Sequence, residues 1–288
     1  MIKAIGRFVL LAKSVIHARA IVFCIIGEAA IALPHMLALE KNRIMRTFKR
    51  KIRAALAAVI GLGTTTFLYA AYTSPSDIVC LFVRSAALES LPDGTLVEPS
   101  SSESERAMFL ELQSQAKARI EKIFGAPRAH PIVAFFRESR TFWPLSVNNY
   151  GSSGAIGNTS CVIIGPKGQH VDVVAHELMH QELHERIGSW RMFTEVPVWF
   201  DEGVAMQVDF RPQYTLLKKA GSASNTGEIR ALKSVRQFNH GNDEEITRHY
   251  TFAKTEVAQW LDNVGRYDLY KRFERIRAGE KFDVVVAR

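Results

Sequence analysis

Nineteen consecutive residues without a charge, Ala54 to Tyr72, constrain this chain more than any other feature. A helix needs about 20 apolar residues to cross a bilayer core, and this run has no polar face to present to water. Lys49, Arg50, Lys51 and Arg53 crowd its N-terminal side, and Asp77 is the first charge beyond it. That asymmetry predicts an uncleaved membrane anchor over residues 54–73, with the basic flank in the cytoplasm and everything later exported. "LYAAYTSPS" has no clean small-x-small cleavage site. Ala20–Leu39 offers a second candidate span, interrupted by Glu28, Pro34 and His35, and Met45 offers an alternative start. The orientation expected for the later chain is the same in each case.

The net charge of +8 has to be located before it is interpreted. Residues 1–73 carry 11 Lys/Arg against Glu28 and Glu40, a net +9, which leaves the rest of the chain at −1. A phosphate-backbone binder needs a basic face on its folded part. The basic charge here belongs to the membrane signal, and no nucleic-acid partner is expected. Of three cysteines, Cys80 and Cys161 fall in the exported part. An oxidising compartment permits a bridge between them, and two separate buried thiols are equally consistent with the sequence.

The rest divides into a strand and linker over residues 74–104 and a mixed domain over 105–288. "IVCLFVR" (78–84) is β-branched and aromatic and predicts a strand; "LPDGTLVEPSSSESE" is a turn-rich linker. Met108, Phe109, Leu112, Ala116, Ile120, Ile123 and Phe124 form one helical stripe closed by Gly125 and Pro127. "PIVAFFRES" predicts a strand, and a Gly/Ser-rich loop leads into another, "CVIIG". A helix follows from about Gln169 to Ile187, and another starts near Pro197. After a loop-rich stretch come two amphipathic helices separated by Gly265. Strands first and helices later indicate an α+β fold.

"VDVVAHELMHQELHER" holds the chemistry. His176 and His180 are four apart, so both imidazoles leave one face of a helix and can share one ion, with Glu177 beside them. The alternative is a histidine-rich solvated face. Glu202, in "WFDEG", follows after 21 intervening residues on a second helix, in an apolar setting where an unpaired carboxylate is costly. His, His and Glu complete a Zn²⁺ site for one ion per chain, with a fourth position open. His184 continues the helix face, but i, i+4 and i+8 span about 12 Å and cannot all reach one ion.

"HELMH" followed by "VPVWFDEGVA" resembles the gluzincin zinc metallopeptidases, close to the M1 aminopeptidase pattern, over about Pro131 to Ala287. The resemblance implies a zincin-like catalytic domain in which His176, His180 and Glu202 bind zinc and Glu177 is the general base. It implies an oxyanion donor from the downstream helices, for which "RHY" offers His249 and Tyr250, with Tyr250 preferred. It also implies an edge strand that pairs with an extended peptide or protein substrate, and Gly151–Asn158 matches by position. The chain departs from the pattern in three places. The 21-residue gap is longer than in the aminopeptidases. Met206 stands where thermolysin-like members have an Asp four residues after the ligand Glu, which leaves Asp201 and Asp209 as candidates to orient the histidines. Ile156, Gly157 and Asn158 follow Gly154–Ala155 where the aminopeptidases carry an acid for the substrate amino terminus. A metzincin site is excluded, because Leu183 and Arg186 replace its Gly and third His. The expectation is a membrane-anchored zinc endopeptidase. A silent binding factor on the same fold, or a hydrolase of another amide such as cell-wall peptide, are the other two readings.

Overall fold

The structure, a computed structural model, describes Met45 and residues 49–65, 75–142, 145–156, 159–214 and 226–287. The chain divides into two compact units, Met1–Phe67 and Leu68–Arg288. In the first, residues 49–65 form helix α1, exposed along its whole length. The expected anchor is described only as far as residue 65. Its remainder and the candidate span 20–39 lie outside the described residues. Among those that are described, no helix is long and apolar enough to cross a membrane.

The second unit is a mixed α/β fold around a small sheet. Strands β1 (Glu89–Ser90), β2 (Leu96–Val97), β3 (Ile132–Phe135), β6 (Gly151–Ile156) and β7 (Thr159–Ile164) assemble in the order β1-β2-β3-β7-β6. β2, β3 and β7 are parallel neighbours, while β1 and β6 are antiparallel to theirs. β4 (Arg140–Phe142) and β5 (Leu145–Val147) make a separate antiparallel pair.

The sheet is covered on both faces, and the period-2 alternation shows how. Val133, Phe135, Val162 and Ile164 enter the main core with helices α3 (Glu103–Phe124) and α4 (Val171–Ile187). Ala134, Phe136, Cys161 and Ile163 enter a second core beneath helix α2 (Pro75–Phe82). Burial on both faces is why "CVII" is an unbroken apolar run. A disulfide between Cys80 and Cys161 ties α2 to β7.

α3 starts at a capping box, Ser102 with Glu105, and ends where Gly125 takes φ +98°. Its buried stripe is Phe109, Gln113, Ala116, Ile120 and Phe124, narrower than the sequence stripe, since Met108 is exposed. Downstream come α5 (Ser189–Glu195), α6 (Val198–Ala205), α7 (Thr226–Ala231), α8 (Val235–Phe238), α9 (Asp243–Val264), α10 (Leu269–Arg277) and α11 (Phe282–Val285). Gly265, at φ +87°, separates α9 from α10 as expected.

Four expectations are corrected. Residues 75–82 are helical: Val79, Cys80 and Val83 are buried, a helical spacing, and their apolar character reflects the sheet they cover. Part of the linker joins the sheet, because Leu96 and Val97 are buried beside β3. The first part of the segment read as a Gly/Ser-rich loop is strand β6, at the sheet edge where the resemblance put one. Short helices α5, α7 and α8 occupy segments read as connections or loop.

Candidate metal centre

α4 is buried over nearly its whole length, so its polar residues are not a solvated face. It packs against α3, α6, α10, β6 and β7, and each buried charge it carries needs a partner inside the protein. Asp172 meets Arg119 and accepts the Phe210 N–H at 3.0 Å. Glu182 accepts from the Arg128 and Ala129 N–H groups at 2.7 and 2.5 Å and from Arg186 Nε at 2.9 Å.

Mid-helix, the pattern changes. His176 and His180 bring their Nε2 atoms to 3.2 Å of each other. From α6, Glu202 Oε2 lies 3.3 Å from His176 Nε2 and 3.5 Å from His180 Nε2. Glu202 is delivered there because Gly203 lets α6 press onto α9: a Cβ on Gly203 would sit 2.6 Å from the Ala253 carbonyl oxygen. Among the described residues the buried Glu202 Oε2 has no hydrogen-bond partner. Three donor atoms thus converge on one point, and His176, His180 and Glu202 form a group that could hold a metal ion.

The surrounding side chains fix those ligands. Asp201 Oδ1 is 2.7 Å from His180 Nδ1, so the Nδ1–H donates to it and Nε2 is the ring atom turned to the centre. Asp209, fully buried, faces His176 Nδ1 at 3.8 Å, beyond hydrogen-bond length. Arg211 clamps it through Nε at 3.0 Å and Nη2 at 2.5 Å, and Lys254 Nζ donates to its backbone oxygen at 2.6 Å. The two acids left open by the sequence therefore divide, Asp201 to His180 and Asp209 to the side of His176.

Electrostatics follow the geometry. Burial works against a charged His180, but Asp201 and Glu202 hold its pKa well above the ordinary value. Burial likewise opposes a charged Glu202, yet His180 and His176 keep its carboxyl far below the usual range. Glu177 is raised by burial, with the carboxylate of Glu202 adding to the effect and a hydrogen bond from Ser153 opposing it.

Of the two downstream candidates, Tyr250 adjoins the centre, its ring 6.2 Å from that of His176 and edge-on to Phe238 at 5.0 Å. Burial, Glu202 and Glu177 push its phenol well above the ordinary value, so it stays protonated. Tyr250 lies in the third turn of α9, which begins at Asp243 under an Asn242/Glu245 capping box, not at the start of the helix. His249 turns aside, with Nδ1 2.7 Å from the Phe238 carbonyl oxygen. His184 lies outside the ligand group. β6, the edge strand, packs on α4 beside Glu177; Gly157 and Asn158 at its end lie outside the described residues. Sequence reasoning missed Arg211 and Tyr214, whose ring is 5.6 Å from that of Tyr250, since no motif marks either. A groove of roughly 580 Å³ among Phe193, Trp199, Lys233 and Phe282 shares no residue with the ligand group. Comparison with protein-family models, curated proteins and solved structures finds no match.

Proposed function

We propose that the chain is a zinc-dependent endopeptidase of the gluzincin type, anchored by its N-terminal apolar segment, with its catalytic unit outside the cytoplasm. One observation carries the reading: the three ligand atoms are 3.2, 3.3 and 3.5 Å apart. Tetrahedral ligands at zinc distances of about 2.0–2.1 Å stand about 3.3–3.4 Å from each other. The orphaned Glu202 oxygen fits the same ion. Zinc held there supplies Lewis acidity toward a scissile carbonyl and toward water.

The chain's own residues do the rest. Glu177 takes a proton from the attacking water on its carboxylate and passes it to the leaving amine nitrogen. Its raised pKa makes it a stronger base than an exposed carboxylate. The Tyr250 phenol donates to the oxygen where negative charge develops. Asp201 holds His180 in the ligating tautomer. Among the described residues β6 pairs on one side only, with β7, and its other edge suits an extended peptide. Gly154–Asn158 carries no carboxylate to hold a substrate amino terminus, which favours internal cleavage. The Cys80–Cys161 disulfide supports an oxidising compartment.

N-terminal peptide profiling of cells with wild-type protein or Glu177→Gln tests the reading. New termini that appear only with wild type, while both proteins hold zinc, support it. Identical profiles from two zinc-loaded proteins would refute peptidase activity.

A further inference from the structure

Strand β6 begins on a glycine whose missing side chain leaves room for one atom group only. A Cβ at position 151 would lie 2.9 Å from both Cγ and Oε1 of Glu177 and 3.1 Å from Val173 Cγ1. Each distance to Glu177 is closer than packed carbon atoms approach one another. No other atom obstructs that Cβ as closely, and the φ of Gly151 is not positive, so alanine is compatible with the backbone there.

The register shows why this face of the strand meets the helix. Gly151 pairs with Ile164 and Ser153 with Val162, and both partners point into the core shared with α4. Residues 151 and 153 therefore face the same way. Val173 and Glu177, one turn apart on α4, meet them. Ser153, two residues along the strand from the vacant position, is placed to donate its hydroxyl to Glu177 and lowers its pKa. The Glu177 carboxylate is thus bounded by a hydroxyl on one side and by the absence of a methyl on the other.

We propose that Gly151 is a positioning residue for Glu177: its bare Cα holds open the space in which the carboxylate lies, so that any side chain there turns the base away. The inference rests on the peptidase reading only for its catalytic consequence; the steric coupling stands without it. Gly151→Ala adds a methyl whose closest obstacles are Cγ and Oε1 of the Glu177 side chain and no backbone atom, so the fold and the ligands of the centre should be retained.

A double-mutant cycle in thermal unfolding of the full, metal-free chain tests the coupling. Gly151→Ala should lower Tm by about 2–4 °C, the effect of roughly 1 kcal/mol in a unit of this size. In a Glu177→Ala background most of that loss should vanish. An equal loss in both backgrounds overturns the proposal. So does a loss abolished by Val173→Ala, which would make Gly151 a matter of packing alone. Zinc titration against a chelating dye separates the two claims: Gly151→Ala should bind one zinc as wild type does. A wild type that binds none sinks the peptidase reading and leaves the coupling measured by the cycle intact. With fluorescein-labelled casein, Gly151→Ala should lower kcat about 10²-fold at unchanged KM, as misplacement of a catalytic group does. A rise in KM alone would assign Gly151 to substrate binding and overturn the positioning role.

Discussion

Helix α4 carries two buried polar clusters less than two turns apart, and they are built on opposite principles. Glu182, in the C-terminal half, is 1% exposed and fully engaged by Arg186 and two backbone N–H groups. Arg186 is in turn held by the Ala126 carbonyl oxygen and stacks 3.4 Å over the Tyr270 ring. At His176, His180 and Glu202, mid-helix, acceptor atoms face one another, and Glu202 Oε2 and His176 Nδ1 have no hydrogen-bond partner. One cluster is closed by the protein itself. The other is complete only when something positive is added. Buried polar groups are ordinarily satisfied, and at the open cluster the unpartnered Glu202 oxygen converges with two imidazoles on one point that could hold a metal ion.

The largest effect should come from breaking the closed cluster. Arg186→Ala leaves Glu182 charged and buried without its partner, which should cost about 3–5 kcal/mol. Denaturant unfolding measures this, and the zinc bound by the protein that remains folded should be unchanged. The open cluster should respond in chemistry and not in stability. Tyr250→Phe should lower kcat about 10²–10³-fold, the range for loss of one oxyanion donor, with fold and metal retained. If Tyr250 only packs, Phe will be nearly silent and Tyr250→Ala will destabilise α9. Asp201→Asn should weaken zinc binding about 10–100-fold by releasing the His180 tautomer; competition with a chelating dye reads this directly. The smallest effect is on pH dependence. Glu177 must be ionised to accept a proton, and its pKa is raised. Activity should therefore be full above that raised value and fall about tenfold per pH unit below it. Glu177→Gln should remove that limb along with the activity.

Much of this site was legible because its information is local. The i, i+4 spacing of His176 and His180 fixes their common face, and the apolar frame of Glu202 marks a carboxylate with a task. The α3 stripe and the Gly265 break were legible for the same reason. What escaped depends on contacts that no local pattern encodes. "IVCLFVR" has strand composition, yet it forms a helix because its residues 79, 80 and 83 cover a sheet assembled from later segments that reach from Leu96 to Ile163. The disulfide was left open because nothing in the sequence brings α2 to β7. Asp209 arrives beside His176 only after the chain turns beyond α6, and Gly151 has meaning only once β6 lies on α4. The expected anchor, the strongest signal in the sequence, is described over residues 54–65 and not beyond.

The central claim is that the open cluster is a zinc site made by these three side chains. X-ray absorption at the zinc edge of the full chain, with metal analysis of His176→Ala, His180→Ala and Glu202→Gln, tests it most directly. The expected result is one zinc per chain with two imidazole nitrogens and oxygen at about 2.0–2.2 Å, lost in either histidine variant and severely weakened by Glu202→Gln. Zinc retained in full by all three variants, or a shell lacking imidazole, would contradict it.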